Sequence, residues 1–475
     1  MFNKWNEPGG YRQVLDISLP LVISMGSISL MLFTDRLFLS RYSLDAIAAS
    51  MPAGTASFLF VSFFMGVVGY VNVFVAQYTG SGEREKVGAS VWQGLYFTFG
   101  ASLILASLYF IAGPLFDLAG HSPGVRRLEV IYFRILILGA GPVVLSPALG
   151  SFFTGRGLTR VVMFTNLAGA AINIPLDYCL INGVGPFPEL GIIGAGLATV
   201  IGYLVIAGLL VYLVFNREND EQFGILRQRG FQRALFGRMM RYGLPNGAQF
   251  FIDLFSFTAF IFIVGRLGKQ VLAAANIVFS ISLLAFLPLV GFGLGLSVLV
   301  GQALGRNNPQ EAERATSSTL HVTFLYMVAV VLVFILAPEW LMNLFRSGDP
   351  SQSDYRSILK IGLVLLRFVA VYSLFDVLFI VYSSAIKGAG DTRFVMWTIG
   401  FLSTGIMVIP VYILVIHLGA GIYPTWVALT AYVCVGGIVF WRRFSKGKWK
   451  DMRVIERSES PPAERETSGR PLEGV

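Results

Sequence analysis

Long apolar runs recur along the chain, separated by short segments that hold most of the charged residues. Each run has about 20 residues or more, the length that an α-helix needs to cross the lipid core, whereas a membrane barrel shows stretches of about ten residues with alternating polarity. Such alternating stretches are absent. The pattern predicts twelve membrane-spanning helices, near residues 14–40, 50–78, 88–112, 128–150, 160–182, 191–215, 242–265, 273–303, 316–338, 357–385, 394–417 and 420–441.

The two halves of the chain resemble each other. Three pairs of segments match in the same order: "LSRYSLDAIAAS" (39–50) with "VGRLGKQVLAAA" (264–275), "VFVAQYTG" (73–80) with "VLVGQALG" (298–305), and "SFFTGRGLTRVVM" (151–163) with "SAIKGAGDTRFVM" (384–396). The first two pairs lie 225 residues apart and align Gln77 with Gln302; the third lies 233 apart and aligns Gly155 with Gly388. Each half holds six spans, an even number, so both halves enter the membrane in the same direction.

The predicted architecture is therefore an all-α integral membrane protein with twelve transmembrane helices in two parallel six-helix lobes. A pseudo-twofold axis along the membrane normal relates the lobes, as in transporters that bind substrate between two lobes and alternate access by rocking. We predict an N-lobe at 1–216, a cytoplasmic linker at 217–241, a C-lobe at 242–441 and a basic, disordered cytoplasmic tail at 442–475.

Composition and charge support a membrane protein. The chain is 55% hydrophobic and 13% charged, with a mean hydropathy of +0.69, far from an ordinary soluble domain. The net charge of +9 is unevenly placed, because 25 of the 36 Lys and Arg fall on the face that receives both termini and 11 fall elsewhere. This bias predicts cytoplasmic termini and does not indicate a nucleic-acid partner. The run "WRRFSKGKWKDMR" (441–453) fits an ordinary basic flank better than a segment lying along the leaflet.

Acidic residues inside predicted spans are the strongest functional candidates, because a carboxylate facing lipid costs at least ~2.5 to 3.5 kcal/mol. At ~1.5 Å per residue, Asp253 and Asp376 both lie roughly 17 Å from the cytoplasmic boundary, so they share a depth in the C-lobe. Asp35 and Asp177 each lie about five residues from the outer ends of their spans and share a depth in the N-lobe. Asp16, at the start of the first span, fits a helix-end charge.

Polar neighbours accompany the N-lobe acids. Asn173 lies one turn before Asp177 on the same helix face, and Pro175 between them frees a backbone carbonyl and allows a bend. Thr199 falls at a similar depth, and Tyr132 carries the other hydroxyl within reach, although an interfacial aromatic anchor explains Tyr132 equally well. These five residues, Asp35, Asn173, Asp177, Thr199 and Tyr132, form the predicted N-lobe ion or proton site.

The internal repeat separates these acids from the scaffold. None is duplicated: Asp35 aligns with Phe260, Asp177 with about Tyr412, Asp253 with Ile28 and Asp376 with Val143. The structural alternative is buried pairing of the acids with arginines of the spans, namely Arg36, Arg134 or Arg367. Burial disfavours the charged form of a carboxylate, so such an acid can bind a proton or Na⁺ and change the charge of the cleft. That change could expel a bound hydrophobic cation, which is antiport.

The motifs resemble those of the multidrug and toxic compound extrusion (MATE) family. They are "GLP" (243–245) followed by Asp253, "NIPLD" (173–177), "GIIGAGLAT" (191–199) and "KGAGDTR" (387–393), and the likeness covers about residues 10–440. The resemblance implies efflux of organic cations and other drugs in exchange for Na⁺ or H⁺. It implies a proton or cation site at Asp35, Asn173 and Asp177 with Thr199, and a sodium site at Asp253 and Asp376. In the family the first C-lobe acid is commonly Glu, and Asp253 is one methylene shorter.

Two other functions compete with drug efflux as explanations of this sequence. A lipid-linked oligosaccharide flippase has the same architecture and would use cleft arginines. A membrane enzyme would need a catalytic set, but the three His residues are scattered, there is no phosphate loop, and Cys179 and Cys434 form neither a disulfide framework nor a metal cluster. We expect no catalytic residues and no cofactor beyond the coupling ion. We also expect a monomer in the bacterial inner membrane, with the lipid bilayer and small drugs as its partners.

Overall fold

The computed structural model describes residues 5–118, 120–345 and 352–456 of the chain. This part is helical almost throughout and contains no β-strand. Twelve long helices, which we number α1 to α12, follow one another along the chain, and each coincides with one predicted span. Their bounds are Tyr11–Tyr42, Leu44–Ser81, Arg84–Asp117, Pro123–Thr154, Thr159–Asn182, Ile192–Val214, Arg233–Gly265, Lys269–Gly305, Pro309–Leu336, Gln352–Ala389, Thr392–His417 and Ile422–Ser445.

Eleven helices of the described residues are long and apolar enough to cross a membrane. The remaining long helix is α5, which has 24 residues but places Asn166, Asn173 and Asp177 within its apolar run. The helix is continuous through Pro175. In the equivalent helix of the second half, α11, two π-helical segments flank Pro410. The twelve-helix all-α fold predicted from the sequence is confirmed.

The helices alternate in direction, so α1 begins and α12 ends at one face, which we call the terminal face; the opposite one is the far face. Buried apolar residues form two clusters, one mainly within α1–α6 (the N-lobe) and one mainly within α7–α12 (the C-lobe). The beginnings of α1 and α7 pack against the opposite lobe. Val14 of α1 lies in the C-lobe core, and Leu235 and Met239 of α7 lie in the N-lobe core.

The lobes meet along glycine-rich seams. Gly66 of α2 faces Gly247 of α7 so closely that a Cβ on Gly66 would lie 2.7 Å from the Gly247 Cα, and a Cβ on Gly295 of α8 would lie 2.3 Å from the Ser18 Oγ of α1. Within the described residues, every hydrogen bond that joins the two sets of six helices lies in the half nearer the terminal face. The lobes are thus joined at the terminal face.

Two connecting segments differ from the expectations. In the linker region Arg217–Phe223 is a short helix, and α7 begins at Arg233, before the predicted residue 242. The tail is ordered at its start, since α12 extends to Ser445 and Trp449 is 1% exposed against Phe444. Its apolar side chains explain the order, because they bury on the protein instead of lying on lipid. Residues 457–475, also predicted to be disordered, lie outside the described residues.

Candidate functional site

The N-lobe acids come together between three helices. Asp35 on α1 accepts a hydrogen bond from the Tyr132 hydroxyl of α4 at 3.1 Å, and Asp177 on α5 lies close enough to interact electrostatically with Asp35. All three side chains are buried, with Tyr132 4% exposed and Asp177 0%. Tyr132 therefore contacts a site acid and is not an interfacial anchor in this structure. The predicted common depth of Asp35 and Asp177 agrees with this arrangement.

Many polar atoms of this cluster have no protein partner. Within the described residues, Asp35 Oδ1, both Asp177 carboxylate oxygens and both Asn173 amide atoms are buried and make no hydrogen bond. An unsatisfied buried polar group costs about 1–3 kcal/mol, and more when it is charged. The orphaned oxygens can accept a proton or ligate a small cation. If they served only as scaffold, leaving them without partners would cost folding free energy with no return.

Helix α6 approaches this cluster through small residues. A Cβ on Gly202 would lie 3.0 Å from the Asn173 Cβ, and a Cβ on Gly196 would lie 3.4 Å from the Tyr132 ring. Thr199, between them in sequence, is half-buried and makes no hydrogen bond within the described residues. Its assignment to the site stays a prediction.

The arginines that offered a structural alternative form no ion pair with the acids, although Arg36 lies close enough to Asp35 for their charges to interact. Within the described residues, none of the four membrane acids forms an ion pair. Arg134 lies over the Tyr109 ring at 4.5 Å and donates to its backbone carbonyl at 3.3 Å. Asp16 lies 3.9 Å from Arg12 and 3.8 Å from Arg160, as expected for an exposed helix-end charge. The acids are therefore held in the helices without a fixed counter-charge at salt-bridge distance.

The C-lobe holds a second cluster. Asp253 on α7 accepts a hydrogen bond from the Tyr432 hydroxyl of α12 at 3.1 Å, and Asp376 on α10 lies close enough to interact electrostatically with both. Toward the terminal face, the Lys387 Nζ donates to Gln249 Oε1 at 3.3 Å and is near enough to Asp253 for their charges to interact. Sequence reasoning missed Tyr432, Lys387 and Gln249 as members of this cluster.

The two clusters have the same composition, but their residues do not occupy equivalent positions in the two halves of the chain. Each contains two aspartates and one tyrosine that donates to one of them. The N-lobe cluster uses α1, α4 and α5, whereas the C-lobe cluster uses α7, α10 and α12, the equivalents of α1, α4 and α6. Only the first helix of each half supplies an acid in both lobes, and at different heights.

Both halves of the chain match one protein-family model. The sequence model described as MatE matches residues 20–179 and 245–414, which together make up more than half of the chain. The second match begins 225 residues after the first, at residue 245 against residue 20, the same offset as the internal repeat. The chain belongs to the MatE family. Both halves carry the MatE signature, and the resemblance drawn from the motifs is confirmed.

Relatives with curated names cover nearly the whole chain. A protein from Burkholderia pseudomallei, named probable multidrug resistance protein NorM, is 29% identical over 458 residues, 94% of each chain. A NorM protein of the same description from Thermotoga maritima is 24% identical over 452 residues, again 94% of each chain. The MatE assignment therefore extends over both lobes.

Solved structures share the fold. A transporter of the MOP superfamily from Pyrococcus furiosus superposes with a TM-score of 0.85 at 20% identity, covering 94% of this chain and 98% of its own. A multidrug resistance MATE family transporter in an outward-facing conformation gives a TM-score of 0.84 at 20% identity, with the same coverage. This chain is accordingly a multi-pass membrane protein with the MatE transporter fold.

Proposed function

We propose that this protein is a multidrug efflux antiporter that exports organic cations and other xenobiotics in exchange for Na⁺ or H⁺. The observation that carries the proposal is the buried pair Asp35 and Asp177, whose oxygens are largely without donors and which form no ion pair with an arginine within the described residues. The NorM names of its relatives support drugs as the exported substrates.

The N-lobe cluster supplies the coupling chemistry. Two neighbouring carboxylates in a dry site repel each other when both are ionised, so binding one proton or one Na⁺ relieves both the repulsion and the cost of burial. Tyr132 orients Asp35 by its hydrogen bond, and Asn173 adds an amide oxygen beside Asp177. Occupation by the coupling ion changes the charge that an organic cation meets in the cleft, and this change links ion entry to drug release.

The C-lobe cluster is the proposed second cation site. Asp253 and Asp376 provide two carboxylates, and the Tyr432 oxygen lies beside the first. Hard cations such as Na⁺ bind oxygen ligands, and these side chains offer them from three helices. Lys387 supplies a positive charge on the terminal-face side of this cluster, so the bound cation would sit on the far-face side of Asp253.

The flippase alternative is not favoured. A cleft that binds pyrophosphate needs exposed cationic groups, whereas Arg134 is engaged by Tyr109 and the described clusters present carboxylates. The family match and the multidrug names of the relatives favour drug efflux as well.

The proposed orientation places the terminal face in the cytoplasm of a bacterial inner membrane. The excess of Lys and Arg on that face supports this orientation. The described conformation, joined at the terminal face, then corresponds to a state closed to the cytoplasm. We propose that the monomer is the transporting unit, since each chain contains both lobes.

The test is transport in reconstituted vesicles. Liposomes that contain the purified protein are loaded with a fluorescent aromatic cation. Movement of the cation is followed under an imposed Na⁺ gradient and, separately, under an imposed pH gradient. We expect one of the two gradients to drive movement of the cation against its own concentration gradient. If neither gradient drives movement of any organic cation tested, the antiporter proposal fails.

Single substitutions then assign the coupling site. Asp177→Asn and Asp376→Asn remove one carboxylate from each cluster with little change in shape. If the N-lobe pair couples transport, Asp177→Asn abolishes the response to the driving gradient. Wild-type transport in both variants would disprove coupling by these acids.

A further inference from the structure

Two of the hydrogen bonds that join the lobes at the terminal face are equivalent in the internal repeat. Gln77 of α2 donates through Nε2 to the Gly388 carbonyl of α10 at 3.0 Å, and Gln302 of α8 donates to the Gly155 carbonyl of α4 at 2.8 Å. Gln77 aligns with Gln302, and Gly155 with Gly388. Each lobe therefore extends one glutamine to the matching carbonyl of the other lobe, and both side chains are buried.

A close helix crossing holds this pair together. Gly80 and Gly305, also equivalent in the repeat, face each other where α2 and α8 end. A Cβ on Gly80 would lie 2.1 Å from the Gln302 carbonyl oxygen, and a Cβ on Gly305 would lie 2.1 Å from that of Gln77. No side chain larger than hydrogen fits there without moving the helices apart.

The C-terminal strap, residues 447–456, breaks this symmetry. It leaves the C-lobe after α12 and is held there by Trp449, which stacks on Phe444 with ring centroids 4.7 Å apart. It then crosses to the N-lobe, where Val454 is 1% exposed and belongs to the N-lobe core. The Val454 backbone N–H donates to Gln77 Oε1 at 2.9 Å. Within the described residues, Gln302 has no such second partner.

The last described residue anchors the strap. Glu456 accepts from the Tyr78 hydroxyl at 2.8 Å, lies 2.5 Å from the Arg238 guanidinium and 3.6 Å from the Lys86 ammonium. Burial alone would raise the pKa of Glu456, but these hydrogen bonds and cations lower it below its ordinary value. The anchor is therefore a carboxylate at neutral pH.

We propose that Gln77, Gln302 and the strap form the gate at the terminal face, in which the strap fixes one of the two glutamines and so stabilises the closed state. The inference rests on the proposed alternating access, because opening that face breaks both glutamine bonds. The strap is attached to both lobes, so opening must break either its contact with the C-lobe or its bond to Gln77, whereas Gln302 opens independently of the strap. Gln77, Gln302 and Glu456 are thus positioning residues for the transport cycle.

Thiol labelling measures gate opening directly. Ser18 is 0% exposed at the seam between α1 and α8, in the closed half. In a full-length protein lacking Cys179 and Cys434, Ser18→Cys reacts with a maleimide only when the gate opens, so under slow labelling the rate is proportional to the open fraction. A second reporter, Ser90→Cys, is buried within the N-lobe and measures loosening unrelated to the gate.

The gate variants have distinct expected outcomes. Gln77→Ala and Gln302→Ala should each raise the Ser18→Cys labelling rate by about 3- to 10-fold, as expected for one buried hydrogen bond. Glu456→Ala should raise it similarly. The double variants are decisive. In the Gln302→Ala protein, Glu456→Ala should raise the labelling rate by its full factor. In the Gln77→Ala protein it should raise the rate less, because the strap no longer has a glutamine to hold.

A matched control is an exposed ion pair outside the strap. Arg217 pairs with Glu221 at 2.9 Å within the short helix Arg217–Phe223. Arg217→Ala should leave the labelling rate unchanged. Equal effects of Glu456→Ala in both glutamine variants, or parallel acceleration of the Ser90→Cys reporter, would overturn the gate inference. The assay needs no substrate or gradient, so its failure is distinct from a failure of antiport.

Discussion

Replacing Asp177 by asparagine separates a functional acid from a structural one. Asp177 is 0% exposed and neither carboxylate oxygen has a hydrogen-bond donor within the described residues, while Asp35 adds a like charge nearby. A carboxylate at such a place costs about 2.5–3.5 kcal/mol, and an amide of the same shape removes the charge but keeps part of the polar cost. We expect Asp177→Asn to stabilise the folded protein by roughly 1–3 kcal/mol.

Stability and transport should change in opposite directions. For a chain of this length, that gain corresponds to a rise of about 1–3 °C in melting temperature, measured by thermal unfolding in detergent. Loss of one ligand charge should weaken binding of the coupling ion by roughly 10- to 100-fold. Gradient-driven efflux in vesicles should therefore fall to the background rate even though the protein is more stable.

The matched control is Asp16→Asn. It makes the same chemical change at an exposed carboxylate near Arg12 and Arg160, so transport should stay at the wild-type rate. A marked drop in melting temperature for Asp177→Asn would show that the acid is architectural. Wild-type transport in a correctly folded Asp177→Asn protein would refute the reasoning from its burial.

Three further outcomes follow from the geometry. Tyr432→Phe removes the hydrogen bond to Asp253 and should raise the half-saturating concentration of the coupling ion about 2- to 10-fold in vesicle transport if the C-lobe cluster binds it. Gly80→Ala should greatly reduce transport because its Cβ meets the backbone of the other lobe, whereas Gly100→Ala, with open space around it, should leave transport unchanged and stabilise α3 by about 0.5–1 kcal/mol. Glu456 has a lowered pKa in the folded protein, so its anchoring contribution is fully present above its ordinary pKa of 4.5 and is lost as pH falls through the lower folded value. Hydrogen exchange of the strap amides, corrected for intrinsic rates, should therefore show constant protection from pH 7 to 5.

The depth of the four membrane acids could be predicted from the sequence, but the side chains that contact them could not. Counting 1.5 Å per residue placed Asp35 level with Asp177 and Asp253 level with Asp376, because a straight helix fixes height. The rotation of each helix about its axis depends on packing against the others. That is why Tyr432 was missed as the partner of Asp253, and why Thr199, correctly placed in height, makes no hydrogen bond within the described residues.

The tail shows a second limit of reading sequence pattern. Its many charges and prolines indicate disorder when averaged over 442–475. Three apolar residues, Trp449, Val454 and Ile455, are nevertheless enough to bury its first part, because Trp449 packs into the C-lobe core and the other two pack into the N-lobe core. Such a segment has no periodicity of its own, so only the tertiary structure identifies its docking surface.

The internal duplication explains the arrangement of the twelve helices, whereas the proposed functions depend on features that the two halves do not share. Two identical lobes would offer a coupling ion the same site twice and would open and close by the same two bonds. Instead, each lobe has its own acid cluster on a different set of helices, and the strap adds a partner to Gln77 that Gln302 lacks within the described part of the chain. In a symmetric gate the two glutamines would be equivalent, so Glu456→Ala would change the labelling rate equally in the Gln77→Ala and Gln302→Ala proteins. A measured difference between the two therefore reports directly on the asymmetry that the strap adds.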